Sequence, residues 1–208
     1  MVDVKKELIF PTPLRIFNCG LQDLNELDMK QMIIYIKQSS NKKSMPHQTI
    51  DDLYQLLTFK KLYDIIMDQS LIFVQELQYS YDKLDMTSMW GNYLLPNGYH
   101  PPHTHSNSFL TGVFYLLSPD GPDGKSAASG ITFFDPRPQA SILTPSRIAN
   151  QFNSNMLYYP SIKGTGYIFP SWVQHMVQAT PVERISISWN ILLRGEYGQP
   201  HTRQNAYI

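Results

Sequence analysis

Near Asp85 the spacing of apolar residues changes period, and that change restricts the architectures open to this chain. Before it, two stretches carry helical spacing. Over residues 22–38, Leu24, Leu27, Met32, Ile33 and Ile36 fall on one broad stripe, with Asp23 or Asn25 placed to cap its start. Over 59–78, Leu62, Ile65, Ile66, Ile72, Phe73 and Leu77 do the same. After Asp85 the apolar runs are short, rich in β-branched and aromatic residues, and bounded by Gly and Pro. This pattern predicts strands over 87–95, 108–117, 130–134, 156–160, 165–169 and 184–193. An edge strand is expected over 8–17, because Pro11 and Pro13 would interrupt an inner ladder. Segments 39–48, 119–129 and 140–155 are expected to be irregular, and 49–57 a short helical turn. The polar tail from Gly195 is expected to be loose.

Two helices followed by closely spaced strands predict an α+β, mainly β fold. The expected form is a sandwich or jelly roll with N-terminal buttressing helices on one face. A chain of 208 residues suits a single domain over 1–208. Within it, 1–85 supply the edge strand and supporting helices, 86–194 the jelly-roll core and 195–208 the tail.

Composition narrows the function. Lys+Arg and Asp+Glu are equal at 17 each, so no overall basic field draws nucleic acid. One cysteine, Cys19, excludes an internal disulfide framework and a cysteine-rich zinc module. No stretch is apolar for long enough to span a membrane, and the charged start has no apolar region behind it, so no signal peptide is expected. Edges rich in Tyr and Phe leave room for a homodimer.

The chemistry-bearing residues are histidines. Three of six crowd into His100-Pro-Pro-His103-Thr-His105. On an extended chain residues i and i+2 point the same way, so His103 and His105 could reach one metal ion. His100 is offset by an odd number and should face elsewhere. A third ligand must come from another strand, and His175 is the candidate. Two ligands at i, i+2 plus one distant histidine form a facial set with open metal positions. Arg184, Ser186 and Ser188 share a strand face nine positions further on. A guanidinium beside a hydroxyl suits a carboxylate, which points to a dicarboxylic acid next to the metal. The plainer reading is a chance His-x-His pair followed by an ordinary strand with a surface arginine.

The order His-x-His, a distant His, then Arg-x-Ser in a late strand resembles the Fe(II)/2-oxoglutarate-dependent dioxygenases. More narrowly, the chain resembles a group of small oxygenases of this kind from bacteria and bacteriophages. The resemblance rests on residues 8–14, Trp90-Gly-Asn-Tyr93, 102–109, Phe134-Asp-Pro-Arg137, 169–175 and 183–191. It implies a double-stranded β-helix (jelly roll, cupin-like) that couples oxidative decarboxylation of 2-oxoglutarate to oxidation of a small-molecule or peptidyl substrate. By position, His103 and His175 would be metal ligands, and Arg184, helped by Ser186, would clamp the distal carboxylate of the oxoacid. His105 stands where the broader superfamily places Asp or Glu, which leaves the site one negative charge short. A shifted pairing of His105 with Asn107 would put a poor ligand on the metal. Asn92, Tyr93 and Asn107 lie where they could hydrogen-bond the oxoacid. Tyr99 could do the same for substrate, and Arg137 could meet an anionic substrate group. For these five a purely structural role is an equal expectation, and Trp172 and Trp189 are expected in the core. The competing functions are a cupin-like metal protein without an oxoacid and a non-catalytic jelly-roll module. The expected compartment is the cytoplasm, that of the host if the protein is viral.

Overall fold

A computed structural model describes residues 2–5, 7–43, 46–121, 126–137, 139, 142, 143, 145–199 and 201–208. In chain order its strands are β1 (Arg15–Asn18), β2 (His47–Gln48), β3 (Lys83–Leu94), β4 (His100–His103), β5 (Leu110–Leu117), β6 (Ile131–Phe134), β7 (Met156–Tyr159), β8 (Thr165–Pro170), β9 (His175–Val177), β10 (Arg184–Arg194), β11 (Glu196–Tyr197) and β12 (Ala206–Tyr207). The helices are α1 (Glu26–Ser39) and α2 (Lys60–Glu76), and 3₁₀ turns fill Leu53–Gln55 and Leu57–Phe59.

Strand β10 separates two interiors. Its odd positions Ile185, Ile187, Trp189, Ile191 and Leu193 are buried in one cluster with Met32 and Ile36 of α1 and Leu62, Ile66 and Phe73 of α2. Its even positions Arg184, Ser186, Ser188 and Asn190 point the other way, as period two requires. The large sheet runs β1-β8-β5-β10-β3-β2, and a smaller one runs β4-β9-β6-β7. The paired strands are antiparallel. Val113, Tyr115, Tyr167 and Phe169 of the large sheet pack on Ile131 and Phe133 of the small one. The helices therefore buttress the outer face of the large sheet, and the inner face closes on the small sheet as a jelly roll. Among the described residues, no helix is long and apolar enough to cross a membrane.

Local chemistry explains where elements begin and end. Asn25, not Asp23, caps α1: its side chain accepts from the Asp28 N–H at 2.9 Å, while Asp23 turns back to accept from Gly20 N–H at 3.1 Å. The edge strand is shorter than expected. Pairing with β8 starts at Arg15, after both prolines, and residues 8–14 lie outside it. Strands β4 and β9 were not expected; β4 holds Pro101 and Pro102 and is accommodated at the edge of its sheet. The segment 39–48 ends in strand β2, which pairs with β3. The tail is tied down rather than loose. Gly195 and Ile208 exchange two backbone hydrogen bonds of 3.1 Å, and the Tyr207 hydroxyl donates to Asp82 Oδ2 at 2.7 Å. Of the expected irregular segments, positions 44–45, 122–125, 140, 141 and 144 lie outside the described residues.

Gly112 lets the sheet and the core meet. A Cβ there would stand 2.2 Å from Trp189 Cζ2 and 2.5 Å from the Tyr167 carbonyl oxygen, and neither a buried indole nor a ladder carbonyl can give way. Gly112→Ala is expected to destabilise by about 3 kcal/mol. A urea melt checks this: the midpoint should fall with the slope unchanged.

Candidate metal centre

His103 and His175 are direct cross-strand partners on β4 and β9. His105 follows just beyond β4, where its N–H donates to the Ser171 carbonyl at 3.0 Å. The three rings converge, with centroids 4.3 Å apart for His103 and His175, 5.3 Å for His103 and His105, and 5.2 Å for His105 and His175. One potential ligand atom from each lies within 4.8 Å of the others.

Each imidazole is also fixed by a hydrogen bond at Nδ1. His103 Nδ1 meets the Pro101 carbonyl at 2.7 Å, and His175 Nδ1 meets the Val173 carbonyl at 3.0 Å. His105 Nδ1 meets Asn190 Oδ1 at 2.8 Å, while Asn190 Nδ2 donates to Ser88 Oγ at 2.9 Å. These partners are acceptors, so each ring carries its proton on Nδ1 and keeps the Nε2 lone pair for a cation. Trp90 stacks on His105 with centroids 5.8 Å apart. The donor set suits a borderline divalent ion such as Fe(II).

Burial keeps two of these rings, His105 and His175, neutral. It pushes His105 down to about 4 and His175 to about 3, with His103 nearby adding to both shifts. His100 is also pushed to about 3, by burial first and then by Arg184. The unfolded chain takes up protons on these rings as pH falls through 6.5, whereas the folded protein refuses them until about 3–4. Stability of the metal-free protein is therefore expected to be fully present above pH 6.5 and to fall as pH drops below it. At pH 5 the loss should be about 1–2 kcal/mol per ring. Thermal melts between pH 7.5 and 5 check this, and a melting temperature that rises toward pH 5 would contradict it.

Arg184 faces the same cavity from β10. It is only 2% exposed. Its guanidinium lies over the Tyr115 ring, 4.8 Å from Cζ to centroid, and Nη2 donates to Ser186 Oγ at 3.2 Å. Nε and Nη1 have no partner among the described residues, and neither has the Tyr115 hydroxyl. Burial pushes the arginine pKa down and the Tyr115 phenol up to about 12. A buried guanidinium with two unanswered donors matches a carboxylate ligand. The same cavity is also lined by Ser188, Val113, Ile131 and Val177.

The other expected site residues divide. Asn92 lines the cavity, but its amide is committed internally. Oδ1 accepts from Gln48 Nε2 at 2.8 Å and Trp90 Nε1 at 3.2 Å, and Nδ2 donates to Ser188 Oγ at 3.0 Å. Tyr93 points to the opposite face of the sheet, among His47 and Lys37. Asn107 is exposed in a turn with φ +53°, and Tyr99 is exposed; neither lines the cavity. Arg137 is held by Asp135 in a local turn, Nη2 to Oδ2 at 2.8 Å, away from the histidines.

His100 lines the cavity, against the expectation that it faces elsewhere. The reason is a register shift. His100 pairs with Val177 and His103 with His175, so three steps on β4 match two on β9. That extra residue cancels the odd offset. Sequence reasoning also missed Trp90, Tyr115 and Asn190. Asn190 had a signal: it continues the alternation of Arg184, Ser186 and Ser188.

Residues 88–190 match a family model described as "Putative 2OG-Fe(II) oxygenase". No curated protein matches the sequence. Among solved structures, a prolyl-4-hydroxylase of Pseudomonas putida is similar, with 13% identity, TM-score 0.63 and coverage of 88% of this chain and 94% of that one. A viral collagen prolyl hydroxylase from Paramecium Bursaria Chlorella virus-1 is similar at 14% identity and TM-score 0.55, covering 86% and 94%. An alpha-ketoglutarate-dependent epimerase from nogalamycin biosynthesis is similar at 14% identity and TM-score 0.61, covering 95% and 90%. These likenesses identify the two-sheet body as a double-stranded β-helix.

Proposed function

We propose, from the match of residues 88–190 to the 2OG-Fe(II) oxygenase family model, that His103, His105 and His175 hold Fe(II) and that Arg184 and Ser186 hold the distal carboxylate of 2-oxoglutarate. The observation that carries this reading is the buried Arg184, with Nε and Nη1 unanswered, on the wall of the cavity that the three imidazoles share. A metal protein without an oxoacid would leave that desolvated cation without purpose. We take residues 1–208 as one oxygenase domain acting on a small-molecule or peptidyl substrate.

Fe(II) and 2-oxoglutarate, when bound, supply oxidative decarboxylation by O₂ to succinate and CO₂ together with oxidation of a substrate C–H bond. The protein's part is positioning. The Pro101 and Val173 carbonyls and Asn190 stop the three rings from turning. Tyr115 beneath the guanidinium and Ser186 beside it keep Arg184 aimed at the carboxylate. Trp90 covers one face of His105. With imidazole at 105, the three protein ligands are neutral, and the negative charge on the metal must come from the oxoacid. Such a centre favours a dianionic cosubstrate electrostatically.

The test is release of ¹⁴CO₂ from 1-[¹⁴C]-2-oxoglutarate by purified protein. Release is expected to need both Fe(II) and O₂, and to yield succinate. No metal-dependent release, with or without candidate substrates, would contradict the reading.

A further inference from the structure

A second cavity, of about 440 Å³, lies beside the metal centre, and its size suits an organic molecule. Phe169 lines both cavities. The Phe169 ring packs edge-on against His175 at 4.9 Å and against Phe133 at 4.7 Å, so a single aromatic layer separates the chamber from an imidazole of the centre. Segment 7–14 ahead of β1 forms one wall, and β6 and β7 form the other.

The charge on this wall is already neutralised. Its described charged residues are Glu7, Asp135 and Arg137. Glu7 is ion-paired with Lys5. Asp135 takes Arg137 in a forked pair, Nε to Oδ1 at 3.0 Å and Nη2 to Oδ2 at 2.8 Å, and also accepts the Arg137 N–H at 2.9 Å. The remainder is dominated by aromatic and aliphatic side chains such as Phe10, Phe134, Leu157 and Tyr159. Such a wall rejects a charged guest, which would lose its hydration with no partner to replace it, and accepts an apolar one.

We propose that this chamber binds the apolar body of the enzyme's substrate, a neutral aromatic small molecule, with its oxidisable end extending past the edge of Phe169, the residue the two cavities share, towards the metal centre. This rests on the oxygenase reading for the reaction, but the binding site stands on its own geometry. Arg137, committed to Asp135, takes no part in holding an anionic group.

Benzyl alcohol is the probe, with benzylammonium as its charged counterpart of the same shape, each followed by ligand ¹H relaxation. Benzyl alcohol should bind the full chain at least tenfold more tightly than benzylammonium. Its protons should relax faster in Mn(II)-loaded than in Zn(II)-loaded protein, because the metal is close. Leu157 projects into the chamber from β7, opposite Phe133 and outside the metal cavity. Leu157→Trp, which fills the space, and Leu157→Arg, which charges it, should each weaken benzyl alcohol binding at least tenfold. Calorimetric 2-oxoglutarate binding should change less than twofold in both, which also reports that they fold. Equal binding of the two probes, unchanged binding in a variant that retains 2-oxoglutarate, or equal relaxation with Mn(II) and Zn(II) would overturn the proposal. Failure of 2-oxoglutarate to bind the unaltered protein would instead count against the oxoacid reading, while the probe's dependence on charge and on Leu157 would still decide the chamber.

Discussion

Arg184→Met is expected to weaken 2-oxoglutarate binding to the Mn(II)-loaded protein at least 100-fold while leaving the metal-free protein as stable as before or more so. The two effects share one cause. Arg184 is desolvated, and two of its donors are unanswered. In the absence of the oxoacid, that buried cation opposes folding, so an isosteric apolar replacement removes a cost. In its presence, a forked charge-assisted pair is lost from a low-dielectric site, and a factor of 100 corresponds to about 2.7 kcal/mol. Arg184→Lys is expected to fall between: the charge remains, but the fork and the stack on Tyr115 are lost. Calorimetry with 2-oxoglutarate and thermal melts of the metal-free variants measure both quantities. If Arg184→Met melts several degrees lower and still binds the oxoacid normally, the residue is an ordinary structural arginine.

His175→Ala is expected to weaken Mn(II) or Fe(II) binding at least 100-fold and to remove Fe(II)-dependent succinate formation. The three proposed ligands are neutral imidazoles, so no carboxylate remains to hold the cation electrostatically when one ring is lost. His175 is 5% exposed, and its Nδ1 is tied to the Val173 carbonyl, so the ring is held in one orientation. Because burial holds this ring neutral, its removal should also flatten the decline in stability between pH 6.5 and 5. Electron paramagnetic resonance of free Mn(II) gives the affinity. Retention of metal within a few-fold of the unaltered protein would remove His175 from the ligand set.

The sequence made some of this legible because period two is a local rule. The polar series Arg184, Ser186, Ser188 against the apolar series Ile185, Ile187, Trp189 separates two faces of β10 before any pairing is known. The same rule applied to β3 puts Asn92 and Tyr93 on opposite faces, so they could not both line one cavity. His103 and His105 were readable as a pair, and His175 as their distant companion. What escaped depends on register between strands. The shift that returns His100 to the cavity exists only in the pairing of β4 with β9. Tyr115 meets Arg184 because β5 lies beside β10, and Trp90 meets His105 through the layering of the sheets. Strand β9 is three residues long, too short for periodicity to register. The pairing of Arg137 with Asp135, two residues back, is likewise visible only in the structure.

A crystal structure of the protein with Mn(II) and N-oxalylglycine, a non-reacting mimic of 2-oxoglutarate, bears most directly on the centre. It should show one metal ion coordinated by Nε2 of His103, His105 and His175, with the far carboxylate of the mimic on Nε or Nη1 of Arg184. A metal held by any other set, or a mimic whose far carboxylate lies away from Arg184, would contradict the assignment of both.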